Sequence, residues 1–273
     1  MEIIDFFDAS RQRAIPVGLY PYQGDFQGWL FFSVGFGGSR TGYAYLGRAW
    51  SRLGFQVVVL EHIGSNAEVL KSVHRPGMRQ AELAQAVGLQ VRDQAELEAR
   101  PQDLAYVRRR LCPGRQWVGL AGHSFGTYTV LATLGVEALL PAGPRQWNFG
   151  LDWTGMVLMS AQPPHPQGVV TSQGLAELHL PSLLLTGTKD SGMPAGVTFE
   201  QRILTYDALA PGHKALAVLE GADHMAFAGI GLAVAPAMQT VAELTGEFWI
   251  SLRQGRAPHW PEELLLKVDL RVG

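Results

Sequence analysis

The 273-residue chain contains 47% hydrophobic and 17% charged residues and has a formal net charge of −2. This composition is typical of a globular protein. The sequence has no basic run, so nothing in it indicates binding to nucleic acid. The single cysteine, Cys112, excludes an intrachain disulfide. The sequence has no signal-peptide pattern and no apolar run of roughly 18 residues, so we expect a cytoplasmic protein without a membrane span.

Short apolar strands alternate with helical segments along the chain. Strands are predicted at residues 3–7, 14–20, 29–34, 55–60, 116–121, 155–160, 183–186 and 215–219. Helices are predicted at residues 41–53, 81–90, 92–99, 101–111, 127–140, 199–209 and 241–252. This alternation predicts an α/β fold with a mostly parallel sheet and helices on both faces. We expect one domain over residues 1–273, with a helical excursion on its surface at about 65–100.

A Gly-x-Ser-x-Gly motif lies between a predicted strand and a predicted helix, at Gly122, Ser124 and Gly126. In this context the motif is typical of a nucleophile elbow, a turn so tight that side chains at the two glycine positions would collide with backbone. The serine hydroxyl then lies at a helix N-terminus, where developing negative charge is favoured. The alternative is an ordinary glycine-rich turn, which would not need a strand before it and a helix after it.

A serine hydroxyl needs a base, and two residues that follow predicted strands can supply the rest of a triad. Asp190 and His224 come after Ser124 in the order Ser, Asp, His that this motif requires. Loops at the carboxyl ends of parallel strands open at the same edge of a sheet, so we expect the three side chains to meet. Asp223, adjacent to His224, and Asp207, within a predicted helix, are weaker candidates for the acid.

An oxyanion hole needs two backbone N–H donors. We expect one from Phe125, which follows the serine, and one from Phe36 in the glycine-rich loop 35–38. This loop lacks the lysine and the spacing of a phosphate-binding loop, and the histidines are scattered. The sequence therefore predicts neither a nucleotide cofactor nor a metal.

Several further residues near strand ends are candidates for contact with substrate. His123, inside the elbow, is interpreted as a packed or orienting residue rather than a base, whereas His62 has either a substrate contact or a structural role. A further hypothesis is an apolar substrate pocket lined by Phe36, Phe125, Met159, Met193, Met225 and Phe227. Packing in the core would explain the apolar character of these residues equally well.

These motifs resemble those of dienelactone-hydrolase-like and platelet-activating-factor-acetylhydrolase-like α/β-hydrolases. Residues 32–40, FSVGFGGSR, are similar to the oxyanion segment FSHGLGGSR of that group, and the similarity extends to residues 8–13, 61–66 and 122–126. The resemblance implies the α/β-hydrolase fold and hydrolysis of carboxylic esters, and it supports Phe36 and Phe125 as oxyanion donors. Val34 replaces the usual histidine, and Ser124 stands where true dienelactone hydrolases have cysteine, which argues against dienelactone as the substrate.

The connection between the sixth predicted strand and the seventh, residues 160–183, is short for this fold and predicts a small cap or none. The leading hypothesis is therefore a serine esterase that acts on a small-molecule ester. An acyltransferase, thioesterase or amidase would use the same acyl-enzyme, and a binding protein on this scaffold is a third hypothesis.

Overall fold

A computed structural model describes residues 1–191, 197–230, 234–260 and 268–272. The strands are β1 Glu2–Asp8, β2 Arg13–Tyr20, β3 Gly28–Ser33, β4 Phe55–Leu60, β5 Val118–His123, β6 Ala138–Leu140, β7 Gly143–Arg145, β8 Gly155–Met159, β9 Ser182–Lys189, β10 Lys214–Asp223 and β11 Val268–Val272. The helices are α1 Ala44–Arg52, α2 Ala67–Val73, α3 Gln80–Gln90, α4 Gln94–Leu111, α5 Phe125–Thr133, α6 Ser172–Ala176, α7 Phe199–Ala208 and α8 Val234–Gln254. A 3₁₀ turn, His224–Ala228, follows β10.

A nine-stranded sheet runs through the described residues in the order β1-β2-β4-β3-β5-β8-β9-β10-β11. Its central strands β4, β3, β5, β8, β9 and β10 are parallel, whereas β1, β2 and β11 pair in antiparallel fashion. The predicted parallel centre is confirmed. The carboxyl ends of β5, β9 and β10 all lie at one edge, where a doubly wound sheet places its ligand sites.

Helices cover both faces of the sheet, as predicted. Side chains of α4, α5 and α7 share one buried cluster with one side of the strands, and those of α1 and α8 share a second cluster with the other side. Within β3 the alternation is visible, since Phe31 belongs to the first cluster and Leu30 and Phe32 belong to the second. This period of two follows from the pleat of a strand buried on both faces.

The prediction of two helices around Pro101 is wrong, because α4 continues through the proline from Gln94 to Leu111. Proline has no N–H, so the Leu97 carbonyl loses its partner within the helix. The hydroxyl of Tyr128 in α5 donates to that carbonyl at 2.7 Å. A side chain from a neighbouring helix thus satisfies the group that proline leaves without a donor.

Two further elements differ from the prediction. The helix predicted to reach residue 140 ends at Thr133, because Gly135 adopts a left-handed conformation (φ 86°), and residues 138–140 form β6. The C-terminal residues 268–272, for which no strand was predicted, pair with β10.

Two further predictions concern the β8–β9 connection and the helical segment at 65–100. The connection from β8 to β9, residues 160–181, is described throughout and contains one helix, the five-residue α6. The segment at 65–100 is helical as expected, but it is not confined to the surface, because Glu96, Leu97 and Arg100 at its end are buried. Within the described chain, no helix combines the length and the apolar character required to cross a membrane.

Candidate active site

Ser124 occupies a strained turn between β5 and α5. Its backbone has φ 54° and ψ −120°, a conformation that costs a non-glycine residue on the order of 1–3 kcal/mol. A Cβ at Gly122 would lie 2.4 Å from the Gly126 carbonyl oxygen, and one at Gly126 would lie 2.0 Å from the Ser33 carbonyl oxygen. The two glycines are therefore required for the close packing that holds Ser124 in this conformation.

Ser124, His224 and Asp190 form a continuous hydrogen-bonded chain. The Nε2 atom of His224 lies 2.9 Å from Ser124 Oγ, and its Nδ1 atom lies 2.8 Å from Asp190 Oδ1. With His224 neutral, the serine hydroxyl donates to Nε2 and Nδ1–H donates to the carboxylate. Three residues from three different strand ends thus meet at one edge of the sheet.

Asp190 is a buried carboxylate with several donors around it. Thr186 Oγ1 donates to Oδ2 at 2.9 Å, and Arg202 Nε lies 2.9 Å from Oδ1. Burial alone would raise the pKa of Asp190, but the hydrogen bond from His224 and the charge of Arg202 outweigh it and hold the pKa well below its usual value. Asp190 is therefore ionised wherever His224 can act as a base.

The competing aspartates have other positions. Asp223 Oδ1 accepts a hydrogen bond from the Ala226 N–H at 2.8 Å and so caps the 3₁₀ turn that begins with His224. Asp207 is exposed within α7. The carboxylate that contacts His224 is that of Asp190.

The glycine-rich loop after β3 lies against Ser124. A Cβ at Gly35 would lie 3.3 Å from the Ser124 Cβ, so the backbone that leads to Phe36 passes beside the serine. Phe125 is the first residue of α5, where backbone N–H groups have no acceptor within the helix. Considering the described residues only, the N–H groups of Phe36 and Phe125 have no hydrogen-bond acceptor, as donors to a substrate oxyanion require.

A hydrogen-bonded relay connects this loop to His224. The Gly35 N–H donates to Tyr43 Oη at 3.4 Å, and Tyr43 Oη lies 2.7 Å from His123 Nδ1. The Nε2–H of His123 donates to the His224 carbonyl oxygen at 3.1 Å. Burial, together with the neighbouring His224, holds the pKa of His123 well below its usual value. His123 is therefore neutral, and its ring is held by the Tyr43 hydroxyl and the His224 carbonyl oxygen.

The pocket hypothesis needs correction. His62, Met159 and Phe227 are all 0% exposed and present no side-chain surface to a substrate. Met159 and Phe227 belong to a buried core cluster, and His62 has buried polar partners. Met225 is 40% exposed and Phe36 is half-buried, so these two remain accessible. Met193 lies outside the described residues.

His62 instead belongs to a second, entirely buried Ser–His–Asp alignment. Its Nε2 atom lies 3.0 Å from Ser33 Oγ and its Nδ1 atom lies 3.0 Å from Asp103 Oδ2. All three side chains are inaccessible to solvent. Asp103 also accepts hydrogen bonds from Arg11 at 2.8 Å and Arg13 at 3.0 Å. Without access to a substrate, this alignment is a structural link between β3, β4, α4 and the turn before β2.

The buried His62 predicts a loss of stability in mild acid. Burial and the charge of Arg100 lower its pKa from 6.5 to about 3, against the opposing hydrogen bond to Asp103. Between these values the unfolded chain binds a proton that the folded chain does not, so the free energy of unfolding falls as the pH decreases from 6.5. At pH 5 this contribution is about 2 kcal/mol.

Urea unfolding at about pH 7, 6 and 5 measures this effect, with His62→Gln as the comparison because glutamine does not titrate. The variant is expected to lose about 2 kcal/mol less than the wild type on acidification to about pH 5. Equal losses in the two proteins would show that His62 is not the group responsible.

A groove of about 350 Å³ lies between α3 and the connection that follows β8. Ala84, Gly88 and Leu89 line one side, and Gln162 and Val169 line the other. The groove approaches the elbow through Gln162, whose N–H donates to Thr127 Oγ1 at 3.3 Å, while that hydroxyl donates to the Ser124 carbonyl oxygen at 2.6 Å.

Several residues around the site carried no recognisable signal in the sequence. Arg202 is one polar residue among several in α7, and Arg100 and Asp103 lie on a helix whose register the proline obscured. Tyr43 precedes α1 in a left-handed conformation (φ 56°) that only the structure reveals. As for metals, the described part of the chain contains no group of three or more His, Cys, Asp or Glu side chains suited to hold an ion.

No protein-family model and no curated protein matches the sequence, but solved structures do match the fold. A ferulic acid esterase from Streptomyces cinnamoneus has a TM-score of 0.67 at 17% identity, over 98% of this chain and 94% of that chain. Esterase 2 of Thermogutta terrifontis, phosphorylated by paraoxon, has a TM-score of 0.58 at 14% identity, over 94% and 96%. A dienelactone hydrolase from Anabaena variabilis has a TM-score of 0.51 at 18% identity, over 92% and 98%.

The chain therefore has the α/β-hydrolase fold, as its motifs implied. The similarity includes a dienelactone hydrolase, in agreement with the resemblance found in the sequence.

Proposed function

We propose that the protein is a serine hydrolase that cleaves carboxylic esters through an acyl-enzyme. The observation that carries this proposal is the chain from Ser124 Oγ to His224 Nε2 (2.9 Å) and from His224 Nδ1 to Asp190 Oδ1 (2.8 Å), with the serine on a strained elbow. The names of the similar structures, two esterases and a lactone hydrolase, favour esters over other acyl bonds. A continuous sheet from β1 to β11 supports a single catalytic domain.

In the first half of the reaction, Ser124 Oγ attacks the ester carbonyl carbon while its proton moves to His224 Nε2. The carbonyl oxygen becomes an oxyanion, which accepts hydrogen bonds from the N–H groups of Phe36 and Phe125. The tetrahedral intermediate then collapses and the C–O bond to the alcohol breaks. The proton on His224 passes to the departing alkoxide, so the alcohol leaves neutral and the acyl group stays on Ser124.

In the second half, water takes the place of the alcohol. His224 accepts a proton from the water as its oxygen attacks the acyl carbon, and it returns that proton to Ser124 Oγ when the ester bond to the serine breaks. Asp190 remains ionised throughout and stabilises the imidazolium, and Arg202 keeps the carboxylate in place.

We further propose that the groove between α3 and the β8–β9 connection accommodates the apolar part of the ester. Its residues Ala84, Leu89 and Val169 offer apolar contact, and Gln162 also lines it while its backbone N–H binds Thr127 of α5. At about 350 Å³ it falls within the range of small-molecule sites.

The proposal is tested with paraoxon and a series of p-nitrophenyl esters. Paraoxon is expected to add one diethylphosphoryl group to the protein, with Ser124 as the modified residue in peptide mass spectra, and to abolish hydrolysis in proportion to labelling. Esters from acetate to long acyl chains then measure which chain length the groove accepts. A folded protein that neither reacts with paraoxon nor hydrolyses any of the esters would contradict the proposed function.

A further inference from the structure

Arg100, from the end of the 65–100 segment, is buried beneath the loop that carries Phe36. Its Nη2 atom donates to the Val34 carbonyl oxygen and to Ser33 Oγ at 3.2 Å. Its Nη1 atom donates to Ser65 Oγ at 2.6 Å, and its Nε atom donates to Thr129 Oγ1 at 2.8 Å. Three side-chain hydroxyls thus hold the guanidinium in position. Its fourth hydrogen bond goes to the Val34 carbonyl oxygen at the start of the loop.

These contacts fix the orientation of successive peptide groups in the loop. Because a trans peptide is planar, a bond to the Val34 carbonyl also directs the Gly35 N–H, which donates to Tyr43 Oη. The Gly35 carbonyl accepts from the Gly38 N–H at 3.1 Å, which directs the Phe36 N–H to the opposite side. The Gly37 N–H donates to the Ser65 carbonyl oxygen at 2.8 Å, so the same Ser65 that binds Arg100 also holds the loop.

Arg100 contacts the second oxyanion residue as well. Its guanidinium carbon lies 4.3 Å from the centre of the Phe125 ring, a cation–π contact at the start of α5. One side chain therefore touches both the Val34 end of the loop and the residue that follows the nucleophile.

The charge of Arg100 is kept in place by its surroundings. Burial lowers its pKa to about 10 against the opposing charges of Glu96 and Asp103, so the guanidinium stays protonated at neutral pH. Glu96 accepts from Ser65 Oγ at 3.1 Å and from Arg13 at 3.0 Å, and Asp103 accepts from Arg13 and His62. The guanidinium lies in a preorganised ionic cluster rather than in a solvent-exposed pair.

We propose that Arg100 is a positioning residue that sets the distance and orientation between the Phe36 and Phe125 N–H groups, and so builds the oxyanion hole from the 65–100 segment. The inference rests on the proposed function, because it assigns these N–H groups to the oxyanion. It gives the segment a catalytic consequence, although no hydrogen bond joins the segment to the triad within the described residues.

The test compares Arg100→Met and Arg100→Lys with the wild type, using steady-state hydrolysis of a p-nitrophenyl ester and inhibition by an alkyl trifluoromethyl ketone. This ketone adds to the serine and forms a hemiketal whose negative oxygen needs both N–H donors. Arg100→Met is expected to lower kcat about 10- to 100-fold with KM within about threefold, and to raise the inhibition constant by the same factor as it lowers kcat/KM. Arg100→Lys keeps the positive charge, so it is expected to be more stable than Arg100→Met. Its kcat is nevertheless expected to stay nearly as low as that of Arg100→Met.

The matched control is Arg13→Gln, which removes another arginine of the same cluster without a contact to the loop. It is expected to destabilise the protein while kcat stays within about threefold of the wild type. If neither Arg100 variant folds, Thr129→Val replaces them, because it removes the acceptor of Nε and allows the guanidinium to shift. That variant is expected to lower kcat about 3- to 10-fold at constant KM.

Two results would overturn the inference: a folded Arg100 variant with wild-type kcat and inhibitor affinity, or Thr129→Val with wild-type kcat where the Arg100 variants do not fold. In either case wild-type turnover that depends on Ser124 would leave the esterase proposal standing. Absence of turnover in the wild type itself would instead contradict the proposed function.

Discussion

Replacement of Ser124 by alanine is expected to lower kcat/KM for p-nitrophenyl esters by at least about 10⁴-fold, with little change in the midpoint of thermal unfolding. The hydroxyl is the nucleophile of the proposed reaction, and no other accessible side chain lies within hydrogen-bond distance of His224 Nε2 in the described residues. Because the hydroxyl has His224 as its partner and the elbow is held by backbone contacts, its removal affects the fold little. Initial rates and circular dichroism on the same preparation measure both quantities.

The chain supplies a matched control for this result in Ser33, the serine of the buried alignment. Ser33→Ala leaves the acceptor nitrogen of His62 without its donor, so a loss of about 1–3 kcal/mol in unfolding free energy is expected. Its kcat/KM is expected to stay within about tenfold of the wild type, since Ser33 is one of several Arg100 contacts. Ser124→Ala with substantial residual turnover would show that another group performs the chemistry.

Asp103→Asn is expected to lower the free energy of unfolding by about 3–5 kcal/mol. The Asp103 carboxylate is fully buried and accepts from Arg11, Arg13 and His62, so the neutral amide would remove the buried charge that these groups share and leave the two arginines with Asp8 and Glu96 alone. An asparagine also places an NH₂ group against cationic donors, where it can accept through one oxygen only. Chemical denaturation at neutral pH measures the loss.

Asp152→Asn is the corresponding exposed control. Asp152 pairs with Arg115 at 3.1 Å, but the two side chains are 67% and 92% exposed, and such pairs contribute about 0–1 kcal/mol. Equal losses from the two asparagine variants would show that burial of the Asp103 cluster does not carry the stability assigned to it.

The strands of the parallel centre could be predicted because each is a predominantly apolar run bounded by glycine or polar residues. In segments such as 29–34 and 55–60, apolar residues occupy positions that face both sides of the strand. Burial on both faces of a sheet explains this pattern. The order of the strands in the sheet, by contrast, depends on pairings that a single sequence does not encode locally.

Elements that depend on a distant partner could not be predicted. The helix through Pro101 persists because Tyr128, which lies in another helix, supplies a hydroxyl to the Leu97 carbonyl. Strand β11 has the alternating pattern VDLRV that is typical of a strand, but the edge of β10 with which it pairs cannot be read from these five residues. Local propensity is a weak guide wherever such tertiary contacts decide the outcome.

At the candidate site, motif and chain order were sufficient to select three residues that the fold brings together. The requirement for glycine at position 122 acts within five residues, because the clash would be with Gly126, and a sequence records such a requirement directly. His62 was ambiguous because a histidine at a strand end has the same appearance whether it faces the cleft or the interior. The contributions of Arg202 and Arg100 depend on contacts with residues 12 to 67 positions away, so no local pattern marks them.

The strand order also has a consequence for synthesis on the ribosome. Strands β1, β2, β4 and β3 are contiguous in the sheet, and the ionic cluster around Asp103 draws on residues from Arg11 to Asp103. The amino-terminal part of a chain emerges first, so this half of the sheet and its charged core can assemble before the rest has been translated. Ser124 would then join a frame in which the loop 35–38 is already held, and its hydrogen bond to His224 would form only when that residue emerges.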